Sequence, residues 1–252
     1  MGRVIAMAGK GGTGKTTTAA LIIMAIKEKK LGSILAIDAD PNSNLAETLG
    51  LSAKETIGSI LDDITAHPEK VPSGMTKDRF IEYEVQAAVE EGDGFDILTM
   101  GRPEGPGCYC YVNNVLRNIM SNLIKDYDYI IIDNEAGLEH LSRRTTKAAD
   151  AMVVVSDPSA VGLKAAKRIV ELTKELKIQV KNSFLIINRA SADIENDKIK
   201  DLNLEYLGSI PHDIAIEKIS LNGSSLMDLK EGILSLKHLR KLGEKIWQRN
   251  QC

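Results

Sequence analysis

The stretch Gly9–Thr17 reads GKGGTGKTT and decides the fold, because it matches the spacing G-x-x-x-x-G-K-[ST] of a phosphate-binding loop. It follows the apolar run Arg3–Ala8, which predicts a buried strand, and it precedes Lys15–Lys29, which predicts a helix. Glycines let the backbone curl so that successive N–H groups face phosphate oxygens, and the dipole of the following helix adds to the attraction. The order strand, glycine loop and helix therefore predicts a nucleotide-phosphate site.

The residue types within the loop predict individual roles. The ammonium of Lys15 supplies a point charge to the β- and γ-phosphates, and the hydroxyl of Thr16 is a candidate Mg²⁺ ligand. ATP or ADP with Mg²⁺ is therefore the predicted cofactor. The candidates for contacts with the nucleotide are Gly11, Gly12, Thr13, Gly14, Lys15, Thr16 and Thr17.

Further apolar runs alternate with helical stretches along the chain. The stretch Ala160–Leu176 predicts a helix, and Ala53–Gly94 is irregular and polar and predicts helices with an edge strand inserted into the core. The buried stripe predicted for Ala160–Leu176 is Val161, Ala165, Ile169 and Leu172. Buried strands are predicted at Ser33–Ile37, Phe95–Met100, Tyr129–Ile132, Ala151–Val155 and Ser183–Ile187. This alternation predicts an α/β fold with a mainly parallel, doubly wound sheet and helices on both faces, in one domain spanning residues 1–252.

Composition excludes several classes of protein. The chain of 252 residues is 43% hydrophobic and 27% charged, and its net charge of −3 gives no electrostatic case for nucleic-acid binding. The short apolar N-terminus predicts a first strand and not a signal peptide, and no window reaches the roughly 18 apolar residues that a membrane helix needs. Three cysteines are too few for a disulfide framework. We therefore expect a cytoplasmic protein with reduced thiols and no membrane or nucleic-acid partner.

Acidic residues follow two of the predicted strands. Asp38 and Asp40 follow Ser33–Ile37, and Asp133 follows Tyr129–Ile132. The carboxyl ends of parallel strands meet at the edge where doubly wound sheets bind ligands, so we expect these carboxylates near the phosphate loop. Asp133 is the candidate Walker-B acid, and Asp38 is a candidate for holding Mg²⁺ through water. An aspartate at a strand end is also a common turn or cap residue, which is the alternative interpretation.

A Cys-x-Cys pair, Cys108 and Cys110, lies in a glycine-rich segment. A disulfide across one residue is strained, so reduced thiols here predict soft-metal ligands for Ni²⁺ or Zn²⁺. One pair supplies only two of the about four ligands of a closed tetrahedral site, whereas a symmetric dimer brings the same pair from each subunit to the two-fold axis. The alternative is two small buried residues in a turn, and the remaining Cys252 has no predicted role.

The loop with its additional lysine, Lys10, resembles the variant phosphate loop of the MinD/ParA, nitrogenase-iron-protein and arsenical-pump ATPase group. Within that group the chain resembles the CooC-type nickel-insertion ATPases, which mature carbon-monoxide dehydrogenase or acetyl-CoA synthase. The resemblance runs nearly the whole length, with one departure, since Asn134 and Glu135 replace the small or apolar residues expected there. The matching segments are Gly9–Thr17, Asp38–Pro41, Cys108–Cys110 and, around that departure, Asp133 and Ala136–Leu141.

The resemblance implies roles for individual residues. Lys10 of each subunit reaches the partner's nucleotide, in the manner of an arginine finger supplied in trans. Asp40 orients the attacking water, and Asp133–Gly137 forms the second switch that senses the γ-phosphate. Asn188 and the loop at Pro211 hold adenine, because an asparagine amide both donates and accepts at a purine edge. The alternatives are an exposed loop lysine at Lys10 and ordinary strand-terminal loops at the other two positions.

The implied function is insertion of nickel into a client enzyme by an ATPase that is a homodimer when ATP or metal is bound. One rival is an iron–sulfur carrier or reductase of the nitrogenase-iron-protein kind, although adjacent cysteines argue against a bridging cluster. A second rival is a positioning switch of the MinD/ParA kind. Ile233–Arg249 is amphipathic and basic, as a membrane helix of such a switch would be, but we interpret it as a packed last helix.

The first prediction concerns the phosphate loop. Lys15→Ala should abolish ATP binding or turnover, because the loop loses its main positive charge toward the β- and γ-phosphates. Equilibrium nucleotide binding and phosphate release measure this effect, and a circular dichroism spectrum verifies that the variant is folded. Near-normal ATP hydrolysis by the folded variant would contradict the phosphate-loop interpretation.

Overall fold

One sheet runs through the computed structural model, which describes residues 2–40, 44–52, 55–101, 118–135, 148–229 and 233–248. Its strands are β1 (Arg3–Ala8), β2 (Ile34–Ala39), β3 (Glu90–Glu91), β4 (Asp96–Thr99), β5 (Tyr129–Asn134), β6 (Ala148–Ser156), β7 (Gln179–Ala190) and β8 (Glu205–Pro211). They lie in the order β3-β4-β2-β5-β1-β6-β7-β8, and all neighbours are parallel except the antiparallel pair β3 and β4. The predicted mainly parallel sheet is confirmed.

Helices cover both faces of this sheet. They are α1 (Lys15–Glu28), α2 (Asn44–Thr48), α3 (Ile57–Ala66), α4 (Lys77–Ala87), α5 (residues 118–123), α6 (Ala160–Glu175), α7 (Asn196–Ile199), α8 (Ile214–Asn222), α9 (Leu234–Leu242) and α10 (Glu244–Trp247). Side chains alternate between the two faces of a strand, so β1 contributes to two cores. Ile5 and Met7 belong to the cluster that contains α1, whereas Ala6 and Ala8 belong to the cluster that contains α3 and α6. The fold is therefore doubly wound, as predicted.

The short edge strand β3 completes the irregular region that was expected to contribute helices and an edge strand. It has two residues, both glutamates, and it pairs antiparallel with β4. A short charged edge discourages pairing with another chain, which explains why this end of the sheet is polar. Helix α3, the first helix of this region, begins with a capping box, in which Thr56 and Ser59 each accept a hydrogen bond from the other's backbone N–H.

The buried face of α6 differs from the predicted stripe, which was wrong by about one position. Val161 is 62% exposed, whereas Leu163, Ala166 and Val170 are buried together with the correctly predicted Ile169. The physical reason is the start of the helix. Ser159 is the N-cap and its side chain accepts from the Gly162 N–H, so Val161 lies in the first turn, before the buried stripe begins.

The last two helices pack on the sheet. Leu236, Leu239 and Ile246 are at most 4% exposed. The buried Arg3 at the start of β1 donates from Nε to the Ile246 carbonyl oxygen at 2.6 Å, and the Tyr129 hydroxyl donates to the Trp247 carbonyl oxygen at 3.2 Å. The interpretation of Ile233–Arg249 as a packed last segment agrees with the structure as far as residue 248. Among the described residues, no helix is both long and apolar enough to cross a bilayer.

Truncation of a buried leucine tests the packing of this last segment. Leu239 is fully buried, so Leu239→Ala should lower the free energy of unfolding by about 2–5 kcal/mol through lost contacts and a residual cavity. The matched control is Leu221→Ala, because Leu221 is 79% exposed and should change stability by less than about 0.5 kcal/mol. Urea denaturation measures both values. Equally small effects would mean that the last helix is not packed as described.

Candidate nucleotide site

The phosphate loop joins β1 to α1 at the carboxyl edge of the sheet. Two of its positions require glycine, each for a different physical reason. At Gly9, an added Cβ would lie 2.3 Å from the carbonyl oxygen of Val155 in the neighbouring strand β6. Gly14 is the N-cap of α1 and has a left-handed backbone with φ of 92°. A Cβ there would lie 2.3 Å from Nδ2 of Asn188, so no side chain fits. Contacts with β6 and β7, as well as the path of the loop itself, therefore require glycine at these two positions.

The start of α1 is built to receive an anion. Its N-cap makes no side-chain hydrogen bond, and the first N–H groups of a helix have no partner within the helix. Lys15 is only 7% exposed, and its Nζ donates to the Lys10 carbonyl oxygen at 3.4 Å. That hydrogen bond is long for a buried ammonium, which is costly to bury without strong partners. A phosphate group would satisfy both the ammonium and the helix N-terminus.

Two buried aspartates lie beside the loop. Register pairs Asp133 of β5 with Met7 of β1 on one side and with Asp38 of β2 on the other. Asp38 and Asp133 are at most 1% exposed. Asp38 accepts from the Leu45 N–H at 2.8 Å, whereas Asp133 accepts from the Thr16 hydroxyl. The structure therefore brings together the acids that follow two strands and the Thr16 hydroxyl, as the sequence predicted.

Burial changes the protonation of both acids. It raises the pKa of Asp38 to about 7, with nearby carboxylates raising it and the hydrogen bond from Leu45 lowering it. It raises the pKa of Asp133 to about 6, opposed by the hydrogen bond from Thr16 and raised further by Asp40. Carboxylates that are buried next to one another share protons or bind a cation. A divalent cation at this edge would favour the ionised form of both.

The residues at this edge fit Mg²⁺. Oδ1 of Asp133 is buried and has no hydrogen-bond partner among the described residues, and the Thr16 hydroxyl lies against the same carboxylate. Within the described ranges, no three His, Cys, Asp or Glu side chains form a metal-binding group of their own. That is compatible with Mg²⁺, which takes one or two protein ligands and fills its octahedron with phosphate and water oxygens. When bound, Mg²⁺ would neutralise charge on the phosphates.

Asn134, the departure from the resembled family, has a structural role. Its Nδ2 donates to the Met7 carbonyl oxygen at 2.8 Å, which ties β5 to β1 immediately before the phosphate loop. Its Oδ1 is buried, and none of the residues that the structure describes bonds to it. Because side chains alternate along a strand, Asn134 faces the side of the sheet opposite to Asp133. The remainder of the expected second switch, residues 136 and 137, lies outside the described residues, as does the rest of the matching segment to residue 141.

Asn188, the candidate adenine contact, lies against the phosphate loop. Its side chain is buried, and Nδ2 donates to the Thr13 carbonyl oxygen at 2.8 Å. Its Oδ1 accepts from the Arg189 N–H at 3.0 Å. A second N–H and a second lone pair of this amide remain, so a contact with adenine stays a prediction. Pro211 ends β8 and pairs with Ala190, one bulge beyond Asn188, and its contact with adenine also stays a prediction.

Lys10 and Asp40 occupy the rim of the site. The side chain of Lys10 is exposed, and its carbonyl oxygen accepts from the Thr13 hydroxyl at 2.9 Å. The hydrogen bond from Ser159 lowers the pKa of Asp157, and the charge of Lys10 lowers it further, so Lys10 lies near the loop that follows β6. Asp40 is half-buried, and its N–H donates to Asp38 at 3.2 Å. The roles of Lys10 across a dimer and of Asp40 toward water stay predictions.

The predicted cysteine ligands and an arginine beside the phosphate loop complete the comparison with the sequence. Cys108 and Cys110 lie outside the described residues, so the metal site stays a prediction from the sequence. Conversely, sequence reasoning missed Arg189, whose Nη1 donates to the Gly12 carbonyl oxygen at 3.4 Å. Its position directly after Asn188 was the only signal, and the bulge that turns it toward the loop has no pattern in the residue types.

The loop, the buried acids and the order of the strands define a P-loop ATPase. A family model described as an AAA domain matches residues 2–187. The chain belongs to this family of P-loop ATPases, in its MinD/ParA group. ATP hydrolysis is accordingly the activity of the site.

Several relatives extend this assignment. The chain is 43% identical to an uncharacterized ATP-binding protein of Methanocaldococcus jannaschii, over 96% of this chain and 98% of the relative. It is 31% identical to the carbon monoxide dehydrogenase accessory protein CooC of Rhodospirillum rubrum, over 89% of each chain. Its fold is similar to that of the Pyrococcus furiosus cell division ATPase MinD, with a TM-score of 0.70, 24% identity and coverage of 98% of both chains.

The buried acids predict how stability depends on pH in the absence of nucleotide. The folded-state pKa values of Asp38, about 7, and Asp133, about 6, lie above the unfolded value near 4, so the folded state binds more protons between these limits. The free energy of unfolding should therefore fall as pH rises from about 4 to about 7. Asp38→Asn should flatten this fall, whereas Asp197→Asn, which alters an exposed carboxylate, should not. Urea denaturation across this pH range checks the slopes, and a slope unchanged in Asp38→Asn would contradict the prediction.

Proposed function

We propose that the chain is a cytoplasmic metallochaperone that uses Mg²⁺ and ATP to bind Ni²⁺ or Zn²⁺ between two subunits. It inserts nickel into carbon-monoxide dehydrogenase or acetyl-CoA synthase. The proposal is supported by the relative CooC, which is a carbon monoxide dehydrogenase accessory protein, and by the Cys-x-Cys pair at Cys108 and Cys110. Neither support depends on the phosphate loop, which many ATPases share.

The observation that carries the proposal is this Cys-x-Cys pair, and the hydrogen bonding at the end of β4 holds the chain that leads to it. The Met100 N–H donates to the Asp38 carbonyl oxygen at 2.8 Å, and the Met100 carbonyl oxygen accepts from the Gly58 N–H at 2.9 Å. The next residue, Gly101, has a left-handed backbone with φ of 60°, and a Cβ there would lie 2.4 Å from the Thr56 side chain. The chain is therefore held firmly at this point, seven residues before Cys108 in the sequence.

This attachment connects the cysteines with the nucleotide site through the backbone. The segment that contains Cys108 and Cys110 departs from the sheet beside Asp38, at the edge where the phosphate loop also lies. The described chain resumes at α5, which leads to the start of β5 at Tyr129, whereas Asp133 lies near the other end of that strand. The end of the cysteine segment that leaves β4 is thus joined by a backbone hydrogen bond to β2, the strand that carries Asp38. A change at Asp38 on binding Mg²⁺ and ATP would act on this anchor.

Coordination chemistry explains why the proposed site needs two subunits. One Cys-x-Cys pair offers two thiolates, whereas a closed soft-metal site takes about four ligands. Two-fold symmetry supplies the second pair only when the subunits meet. ATP would favour the dimer, with Lys10 near the partner's nucleotide, and hydrolysis with water oriented by Asp40 would separate the cysteine pairs and release the metal. By linkage, the metal would favour the dimer in return.

The two rival functions have relatives of their own, and the proposed experiment separates them. The chain is 26% identical to the iron-sulfur ATP-binding protein of the light-independent protochlorophyllide reductase from Rubrivivax gelatinosus, over 97% of this chain. An anaerobic protein with a broad visible iron–sulfur absorption band would favour that rival. A positioning switch that uses α9 and α10 as its membrane helix is disfavoured by the burial of Leu236, Leu239 and Ile246.

Metal stoichiometry tests the proposed function. The protein should bind one Ni²⁺ or Zn²⁺ per dimer, more tightly with ATP than without it, because four thiolates come together only in the dimer. Cys108→Ser should lose the metal and keep nucleotide binding, since Cys108 lies outside the phosphate loop. Equilibrium dialysis of the metal and size measurement with and without ATP give both quantities. The matched control is Cys252→Ser, which should keep the metal. One metal per monomer, unaffected by Cys108→Ser, would remove the interface site from the mechanism.

A further inference from the structure

The end of β7 makes a close contact with the outer side of the phosphate loop. Asn188 donates from Nδ2 to the Thr13 carbonyl oxygen at 2.8 Å, and Arg189 donates from Nη1 to the Gly12 carbonyl oxygen at 3.4 Å. Two successive carbonyl groups of the loop are therefore held by two successive residues of one strand. We propose that Asn188 and Arg189 are positioning residues for ATP hydrolysis, which orient the phosphate loop from outside, whether or not Asn188 also contacts the base.

The geometry of the peptide bond gives this contact its effect. In a trans peptide the C=O and the N–H point in opposite directions. When Asn188 holds the Thr13 carbonyl on the outer side, the N–H of Gly14 points away from Asn188, toward the side of the loop that takes the phosphates. At the preceding peptide Arg189 holds the Gly12 carbonyl, and the Thr13 N–H donates to the Lys10 carbonyl oxygen at 3.4 Å, so this peptide plane is fixed within the loop itself. Two peptide planes are thus preset before the nucleotide binds.

The backbone of β7 is shaped to make this contact. Asn188 pairs with Ile210 and Ala190 pairs with Pro211, so Arg189 is the extra residue of a β-bulge. Arg189 has a left-handed backbone with φ of 55°, which is unfavourable for a residue with a side chain. That conformation lets the Arg189 N–H donate to Oδ1 of Asn188 at 3.0 Å, which fixes the orientation of the amide with Nδ2 toward the loop. Bulges and left-handed residues of this kind re-aim side chains at functional sites.

Gly14 of the phosphate loop lies on the other side of the contact with Asn188. A Cβ at Gly14 would lie 2.3 Å from Nδ2 of Asn188, closer than any non-bonded contact allows. The absence of a side chain at Gly14 is therefore what permits the amide of Asn188 to reach Thr13. Asn188 is buried, so its amide would be left unsatisfied if the loop moved away. The loop and the strand end stabilise each other.

A ligand without a base separates positioning from recognition of adenine. The probe is inorganic tripolyphosphate with Mg²⁺, measured beside Mg²⁺ and ATP by isothermal titration calorimetry on the full chain. Asn188→Ala should weaken both ligands about tenfold, the effect of one lost hydrogen bond to a buried group. It should also lower kcat at saturating ATP, because a misoriented loop places the γ-phosphate poorly. A base contact alone would weaken only ATP and leave kcat unchanged.

Variants at Arg189 provide the second measurement. Arg189→Gly keeps the left-handed backbone and removes the guanidinium, so it should fold normally and weaken tripolyphosphate about two- to threefold, as expected for a long, exposed hydrogen bond. Arg189→Lys should recover part of this loss, because its ammonium can donate to the same carbonyl. The matched control is Lys181→Ala, which removes an exposed cation near the opposite end of β7 and should change neither ligand.

Each outcome decides the proposal independently of the metallochaperone function. Weakening of both ligands by Asn188→Ala supports positioning, and additional weakening of ATP alone would add a base contact to it. Unchanged tripolyphosphate binding in Asn188→Ala overturns the proposal, whether or not ATP binding falls. Unchanged binding in Arg189→Gly removes Arg189 from it. Thermal unfolding without ligand shows whether Asn188→Ala is folded, and the Arg189 variants give the answer if it is not.

Discussion

The burial of two carboxylates and one ammonium at a single edge of the sheet is the constraint on which the rest of this structure depends. Parallel strands β1, β2 and β5 end side by side, so Asp38, Asp133 and the ammonium of Lys15 come within one small region that excludes water. Burial raises the pKa of both aspartates, to about 7 and about 6, and one carboxylate oxygen of Asp133 has no partner within the described part of the chain. The protein tolerates this arrangement because the bound state of Mg²⁺ and nucleotide compensates the charges.

The remainder of the fold holds this edge rigid. The apolar strands bury side chains on both faces. At the end of the sheet opposite the phosphate loop, Arg3 and Tyr129 donate hydrogen bonds to the carbonyl oxygens of Ile246 and Trp247 in α10. The flexible-looking glycine loop is itself constrained. Gly9 packs on the β6 backbone, and Gly14 lies under the amide of Asn188. A loop that is preformed in this way loses less conformational entropy when it binds phosphate.

Under the proposed function, the same edge would connect nucleotide binding with metal binding. Met100 joins the backbone of β4 to that of Asp38, and the sequence between β4 and α5 contains the thiols proposed to bind metal. A rearrangement of Asp38 on nucleotide binding would therefore act on the chain that leads to these thiols. A transmission of this kind needs no long pathway, because the nucleotide site and the start of that chain share one pair of hydrogen-bonded strands.

The sequence by itself determined the class of fold, the phosphate loop and the strand-terminal acids. These depend on local patterns, namely apolar runs of β-branched residues and a glycine spacing that permits one backbone path. The register of the buried stripe on α6 was not predictable, because the position of the Ser159 cap decides which side of the helix meets the sheet. Tertiary structure alone decided that Asn134 ties β5 to β1 and that Asn188 and Arg189 contact the loop. Asn188 and the Thr13 that it contacts are separated by 175 residues, and a bulge aims Arg189, so no local pattern could reveal these contacts.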